Sequence, residues 1–207
     1  MKDLIIMGAG GHGRVIADIA QKSGEYQSIA FLDDGEAKIS MGLPVIGRLS
    51  DVDKYIKTAD IFVAIGNSKL REEFTEKLLA MGANIPTLIH PSAVIGFCVE
   101  IGAGTAIMAG VVLNPCAKIG KGVIVNTCSS IDHDCIVGDY CHIAVGVRIA
   151  GTVHLEERVW LGAGATVKNN VDICADCIIG AGAVVIDHIH VKGTYVGVPA
   201  KLLKETN

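Results

Sequence analysis

Residues 119–143 read IGKGVIVNTCSSIDHDCIVGDYCHI, and Ile119, Val125, Ile131, Val137 and Ile143 stand six apart in it. The same step runs outward in both directions. Ile89, Ile95, Ile101, Ile107 and Leu113 precede it; Ile149, Leu155, Leu161, Val167, Ile173, Ile179, Val185 and Val191 follow, with no gap. Four residues after each of these aliphatics the side chain is usually small or β-branched, as at Val123, Ser129, Cys135 and Cys141. The residue just after is often glycine, as at Gly96, Gly102, Gly120, Gly138, Gly162 and Gly180. A period of six fits neither a helix of 3.6 residues per turn nor a simple alternating strand. It fits short strands joined by tight corners, each hexad forming one side of a three-sided prism. Three hexads then make a coil of 18, so that residues i and i+18 stack. Residues 89–194 would hold between about five and six coils, with aliphatics on the axis and glycines easing the corners.

The quoted stretch also sets His133 between Asp132 and Asp134. The register puts His133 at the third position of its hexad, on a corner facing away from the axis. Either aspartate can bond one imidazole nitrogen, fixing the tautomer and leaving the other nitrogen as a general base. The plainer reading is a surface histidine beside two solvated carboxylates. Gly151 stands 18 residues on, one coil above on the same corner, where a missing side chain bares a backbone N–H for an oxyanion. His142 is nine residues from His133, half a coil away, so a neighbouring subunit is needed to bring the two together. Trp160 stacks 18 beyond His142 and reads as packing. His90, His154, His188 and His190 suggest no role, and Lys168, Lys192 and Lys201 read as surface residues.

Bulk composition bounds the rest. Half of the 207 residues are hydrophobic but only 4% aromatic, so Val, Ile, Leu and Ala must build the core. The net charge of −4, without a run of Lys or Arg, argues against nucleic-acid or anionic-membrane binding. MKDLIIMGAGGHG is apolar too briefly for a signal or transit peptide, and no run approaches the roughly 20 residues of a membrane span. Seven cysteines, an odd number, point to reduced thiols and a cytoplasmic location. Cys174 and Cys177 form one CxxC with no second pair at zinc spacing, so no metal is expected.

Residues 1–85 follow another pattern. Strands are expected at Leu4–Met7, Ile29–Leu32 and Ile61–Ile65, with helices from Arg14 to Gln21 and near 51–57 and 69–81. This alternation implies a small parallel sheet with Rossmann-like winding. Gly8-Ala9-Gly10-Gly11-His12-Gly13 satisfies GxGxxG after the first strand. Its amides suit a diphosphate, and Asp33 or Asp34 suits a ribose hydroxyl. A nucleotide sugar, NAD or a purely structural turn all remain open on these residues.

The hexad pattern resembles the hexapeptide-repeat acyltransferases. That resemblance implies a left-handed parallel β-helix, against the usual right-handed crossover. It also implies trimers that hold acyl-CoA between adjacent prisms. Taken together, the two halves resemble the sialic acid O-acetyltransferase-like sugar acetyltransferases, and within them the enzymes that N-acetylate UDP-linked 4-amino sugars in bacterial glycan synthesis. The motifs that carry this are Gly8–Gly13, Phe31-Leu32-Asp33-Asp34, Ala64-Ile65-Gly66-Asn67, Ile131–Cys135 and Val196-Gly197-Val198-Pro199-Ala200-Lys201. The resemblance places Gly10, His12, Asp33, Asp34 and Asn67 around the nucleotide sugar. It makes His133 the general base, supported by Asp134 where the family often has Glu. It assigns Gly151 to the oxyanion and His142 to acetyl-CoA.

The expectation is therefore a cytoplasmic homotrimeric acetyltransferase: a Rossmann-like nucleotide-sugar domain over 1–85, and a left-handed β-helix for acetyl-CoA over 86–207, ending in a short tail. The alternative acceptor is a hydroxyl of sialic acid or a related sugar. A non-catalytic scaffold on the same prism is a third class, which His133, Asp134 and Gly151 argue against. A serine acetyltransferase is disfavoured because no long helical N-terminal domain is present.

Overall fold

The computed structural model describes residues 2–203; the end of the expected C-terminal tail lies outside the described residues. The chain divides into two compact units, residues 1–91 and 92–207. The expected boundary at 85/86 thus falls just before the last short strand of the first unit, Leu88–Ile89.

In the first unit, β1 (Lys2–Met7) is an interior strand of the sheet. It pairs in parallel with β2 (Tyr26–Leu32) on one side and β5 (Asp60–Val63) on the other. Between β2 and β5 the chain forms β3 (Ile39–Ser40), β4 (Leu43–Gly47) and a 3-10 helix over Leu49–Lys54. The sheet order is β3-β4-β2-β1-β5. The two α-helices are α1 (Gly11–Ser23) and α2 (Ser68–Ala80). Continuous burial of Leu4–Met7 and Phe31–Leu32 is what a parallel strand covered on both faces requires. Ile5, Met7, Leu32, Ile61, Val63 and Leu78 share one apolar cluster. The β3–β4 hairpin was not expected. It turns through Met41 and Gly42, both at positive φ, and methionine is not one of the residues that advertise such a turn. The helix expected near 51–57 is the 3-10 turn, displaced toward the N-terminus.

The second unit is a left-handed parallel β-helix. Its strands are two residues long and stack at an interval of 18, as in Lys118↔Ile136, Ile136↔His154 and His154↔Asp172. They form three sheets, one on each side of the prism. Each coil gives its N–H groups to the carbonyls of the next, as in Ile136 N–H to Val153 O at 2.9 Å and His154 N–H to Val171 O at 3.0 Å. The aliphatic positions from Ile107 to Val185 are buried. So are their small partners four residues on, including Val111, Val123, Cys135, Cys141, Val147 and Ala165. A fully buried Val, Leu or Ile contributes about 1.5–3 kcal/mol. A repeat that delivers them at every side therefore needs few aromatics.

The corners obey a rule of their own. In every hexad from Ile95 to Ile179, the third residue after the aliphatic has positive φ. Glycine fills six of these places, and Cys98, Cys116, Cys128, Asp134, Tyr140, Thr152, Arg158, Asn170 and Asp176 fill the rest. The glycines directly after the aliphatics have a different task. A Cβ on Gly102, Gly120, Gly138 or Gly162 would come within 2.7 Å of backbone atoms in the neighbouring coil. They provide room rather than φ, which corrects the expectation that they ease the turn itself.

The register also ends earlier than the sequence suggests. Val191 is 62% exposed and Ile189 is buried in its place. Ile189 bridges Ile173, and Thr194 pairs with Ile178, both at an interval of 16. The last coil has lost two residues, and the eighteenth aliphatic hit is coincidental.

Candidate active site

His133 follows the strand Ser130–Ile131 and occupies a corner of the prism, as its register requires. Its neighbours in the stack are fixed by a ladder of hydrogen bonds between coils. Cys116 N–H donates to Phe97 O (3.0 Å), Asp134 N–H to Pro115 O (3.2 Å), Thr152 N–H to His133 O (2.9 Å) and Asn170 N–H to Gly151 O (3.1 Å). Phe97, Pro115, His133 and Gly151 are therefore successive rungs of one column.

The side chain of His133 is 57% exposed, and its Nδ1 lies 2.8 Å from Asp134 Oδ2. Asp134 sits at φ 57°, a conformation that aspartate tolerates better than most residues. The hydrogen bond to Asp134 raises the imidazole's pKa above its ordinary value, against the effect of desolvation, and the charges of Asp132 and Asp134 add to the rise. Asp132 does not take the ring. Its Oδ1 accepts from the His133 backbone N–H at 2.8 Å and from Asn114 Nδ2 at 2.7 Å, and these two bonds hold its carboxyl below the usual range.

Nε2 points at the coil above. A Cβ built on Gly151 would lie 2.6 Å from His133 Nε2 and 2.7 Å from Cε1, so the absence of a side chain there is what lets the ring stand in place. Among the described residues no backbone carbonyl accepts from the Gly151 N–H. The arrangement is an imidazole oriented through Nδ1, with Nε2 turned toward a bare backbone segment.

His142 lies on a side of the prism rather than a corner. It pairs with Ile124 and Trp160 in one sheet, and its ring stacks on Trp160 with centroids 6.0 Å apart and planes at 18°. Within one chain, the strand that precedes His133 and the strand that carries His142 belong to different sheets.

The predicted residues of the first unit gather at the carboxyl ends of β1, β2 and β5, where ligands of open parallel sheets bind. Gly8 turns the chain at φ 108°. A Cβ on Gly13 would strike Gly8 O at 1.9 Å, so this glycine allows α1 to seat on the loop. Cβ atoms on Gly10 and Gly11 would meet nothing within 4 Å. The first turn of α1 carries no acidic residue and no side-chain cap, and such a helix start suits an anion. His12 is half-buried in that turn.

Asp33 ties the loop down. Its Oδ2 accepts from Ala9 N–H and its Oδ1 from Gly35 N–H, each at 2.8 Å. Asp34 accepts from Leu49 N–H at 3.1 Å. Both line a groove of about 530 Å³ that Lys38 and Arg48 also border. Asn67 caps α2 by accepting from Leu70 N–H at 3.1 Å. Sequence reasoning missed Arg71. It is 1% exposed, and its Nη1 donates to Ile65 O and Gly66 O at 2.9 Å each, pinning the loop that carries Asn67. The signal was its place on the buried stripe Arg71, Thr75 and Leu78.

Cys174 and Cys177 approach with their sulfurs 3.5 Å apart, and burial pushes the Cys177 thiol up to about 11. Among the described residues, no three His, Cys, Asp or Glu side chains are grouped so as to hold a metal ion, and no helix is long and apolar enough to cross a membrane.

A prism with a histidine–carboxylate corner, joined to a glycine-loop α/β unit, defines a class of acyl-transfer proteins, and comparison with known proteins narrows it. Residues 3–78 match the PglD N-terminal domain, and residues 152–187 match the bacterial transferase hexapeptide (six repeats). GDP-perosamine N-acetyltransferase of Escherichia coli is 32% identical over 169 residues, 76% of this chain and 74% of that one. UDP-N-acetylbacillosamine N-acetyltransferase of Bacillus subtilis is 34% identical over 115 residues, 53% of this chain and 52% of that one. Among solved structures, the acetyltransferase domain of PglB from Neisseria gonorrhoeae in complex with acetyl coenzyme A is 37% identical, with a TM-score of 0.95 over 98% of this chain and 99% of that one. PerB from Caulobacter crescentus, in complex with CoA and GDP-perosamine, is 36% identical, with a TM-score of 0.92 over 98% of both chains. The chain belongs to the PglB/PglD-type hexapeptide-repeat sugar acetyltransferases, which use acetyl-CoA.

Proposed function

We propose that this protein transfers the acetyl group of acetyl-CoA to the amine of a nucleotide-linked 4-amino sugar, with a UDP-linked sugar as the substrate, in cytoplasmic bacterial glycan synthesis. The observation that carries the proposal is the corner geometry: Nδ1 of His133 on Asp134 at 2.8 Å, and Nε2 against Gly151.

In this reading the neutral sugar amine attacks the thioester carbonyl, and Nε2 of His133 takes the proton that the nitrogen loses. The Gly151 N–H stabilises the tetrahedral oxyanion. Collapse breaks the C–S bond, and the thiolate of CoA takes up a proton as it leaves. Asp134 orients the ring and balances its charge while the proton is held. The start of α1, with Gly10 and His12, receives the diphosphate; Asp33, Asp34 and Asn67 complete that site. Asp33 acts chiefly by shaping the loop, since both its oxygens already accept backbone N–H groups.

A homotrimer completes the site by bringing a neighbour's His142 to the CoA cleft. Exposed Ile136, Val145, Trp160 and Ile178 on the prism support that assembly. The relatives are named for both a GDP-linked and a UDP-linked substrate, so the nucleotide is the point to test. Thiol release should be measured with UDP-linked and GDP-linked 4-amino sugars and with free sialic acid. A higher kcat/KM for the UDP-linked amine supports the reading. A preference for the GDP-linked amine changes the nucleotide, and efficient turnover of sialic acid replaces N- with O-acetylation.

A further inference from the structure

The base is held by two separate tethers, and only one of them touches the ring. Asp134 grips Nδ1. The second tether runs through the backbone. Asn114, on the same corner one coil below, donates from Nδ2 to Asp132 Oδ1 at 2.7 Å, and that same oxygen accepts from the His133 N–H at 2.8 Å. One carboxylate oxygen thus links the coil beneath to the peptide that carries the imidazole.

The need for such a link follows from the ring's surroundings. More than half of the His133 side chain is exposed, so core packing does not fix its position. The next residue is in the left-handed region, which leaves the corner dependent on its hydrogen bonds. Gly151 leaves little tolerance above, since a Cβ at that position would lie 2.6 Å from Nε2.

We infer that Asp132 and Asn114 are positioning residues for the reaction, setting the main chain of His133 so that Nε2 faces the thioester site. This inference rests on the reading of His133 as the base. Asp132 acts in a second way through its charge. The titratable groups that act on the imidazole are Asp132 and Asp134 on its own corner; the rung below carries Cys116, and the rung above, Ala150-Gly151-Thr152, carries none. Both aspartates raise the imidazole's pKa.

Geometry and charge separate in the test. Asp132→Ala removes the link, and a misplaced catalytic group costs up to about 100-fold. A fall in kcat of roughly ten- to a hundredfold is therefore expected, with KM for acetyl-CoA unchanged. Asn114→Ala should lower kcat in the same direction by less and leave the pH profile in place. Asp132→Asn keeps an accepting oxygen and loses the charge. It should hold kcat near wild type while the ascending limb of kcat/KM moves to lower pH. Melting temperatures identify a variant that has failed to fold, and Asn114→Ala decides the matter if Asp132→Ala does. Wild-type kcat and an unmoved limb in all three variants, with His133→Ala inactive, overturn the inference and spare the base. Full activity of His133→Ala overturns the base itself, and the inference with it.

Discussion

Two corners of the prism place an aspartate in the same left-handed conformation and use it for different ends. At residues 174–176, Asp176 has φ 58° and accepts from Arg158 Nε at 2.9 Å and from Lys192 Nζ at 3.2 Å. Arg158 lies one coil below, so Asp176 ties one coil to the next. At residues 132–134, Asp134 has φ 57° and turns back onto His133, its own neighbour in sequence. The backbone is the same. The difference lies in the partner: a guanidinium from another coil makes the carboxylate a staple, and an adjacent imidazole makes it a support for a base. A corner rule that the fold imposes everywhere has been turned to chemistry at one place by local substitution.

The comparison can be broken in order of expected effect. His133→Ala should cut kcat by about 10²–10⁴-fold while the melting temperature holds, because the side chain is not in the core; unchanged turnover would reduce this corner to the status of the other. Gly151→Ala should come next. The new methyl would meet the ring at Nε2, and swinging the ring aside gives up Asp134, so kcat should fall about 100-fold in a folded protein. A crystal structure of this variant with His133 undisplaced would refute the steric account.

Asp134→Asn should lower kcat by less, since it leaves the base present. It should also shift the ascending limb of kcat/KM downward in pH, because the hydrogen bond that raises the imidazole's pKa comes chiefly from this carboxylate. A limb that stays in place would detach Asp134 from the base. Asp176→Asn should leave kcat alone and cost about 1 kcal/mol or less of stability. The Arg158 hydrogen bond, with Lys192 adding, keeps the Asp176 carboxyl below its ordinary range. Its stabilisation is therefore present above that range and fades as the pH falls through the folded value, which acid melts of wild type and variant would resolve. Ala175→His, made in the His133→Ala background, sharpens the contrast most cheaply. It should restore no activity, since Asp176 is already engaged; measurable rescue would mean that any such corner can be made catalytic.

Much of this was legible in the residues. Spacing alone located the axis, the stacking of His133 beneath Gly151 and the outward aim of the imidazole, because a period of 18 converts sequence distance into spatial contact. What failed to be legible has physical causes. Val191 satisfies the register and Ile189 does not, yet Ile189 is the buried one, since periodicity cannot report a coil that has lost two residues. Asp132 and Asp134 look equivalent around His133; only the left-handed corner decides which reaches the ring. Asp33 sits where a ribose ligand is expected, but its oxygens bind Ala9 and Gly35, a loop contact that no spacing encodes. Arg71 was hidden because a cation on a helix reads as surface until its stripe is seen to be buried.

The shortened last coil has a consequence for assembly along the axis. Every coil offers the next a fixed set of donors and acceptors, so a prism that ended on a complete coil would present a template for the first coil of another molecule, and copies would grow head to tail. Here the interval drops to 16 at Ile189 and Thr194. Thr194–Val196 then pairs antiparallel with Lys201–Leu202, and Leu203 N–H donates to Thr194 O at 2.8 Å. The exposed rim no longer matches the start of a prism in spacing or direction. Two missing residues and one reversed strand act as a terminator, which keeps an endlessly repeatable design from becoming a filament.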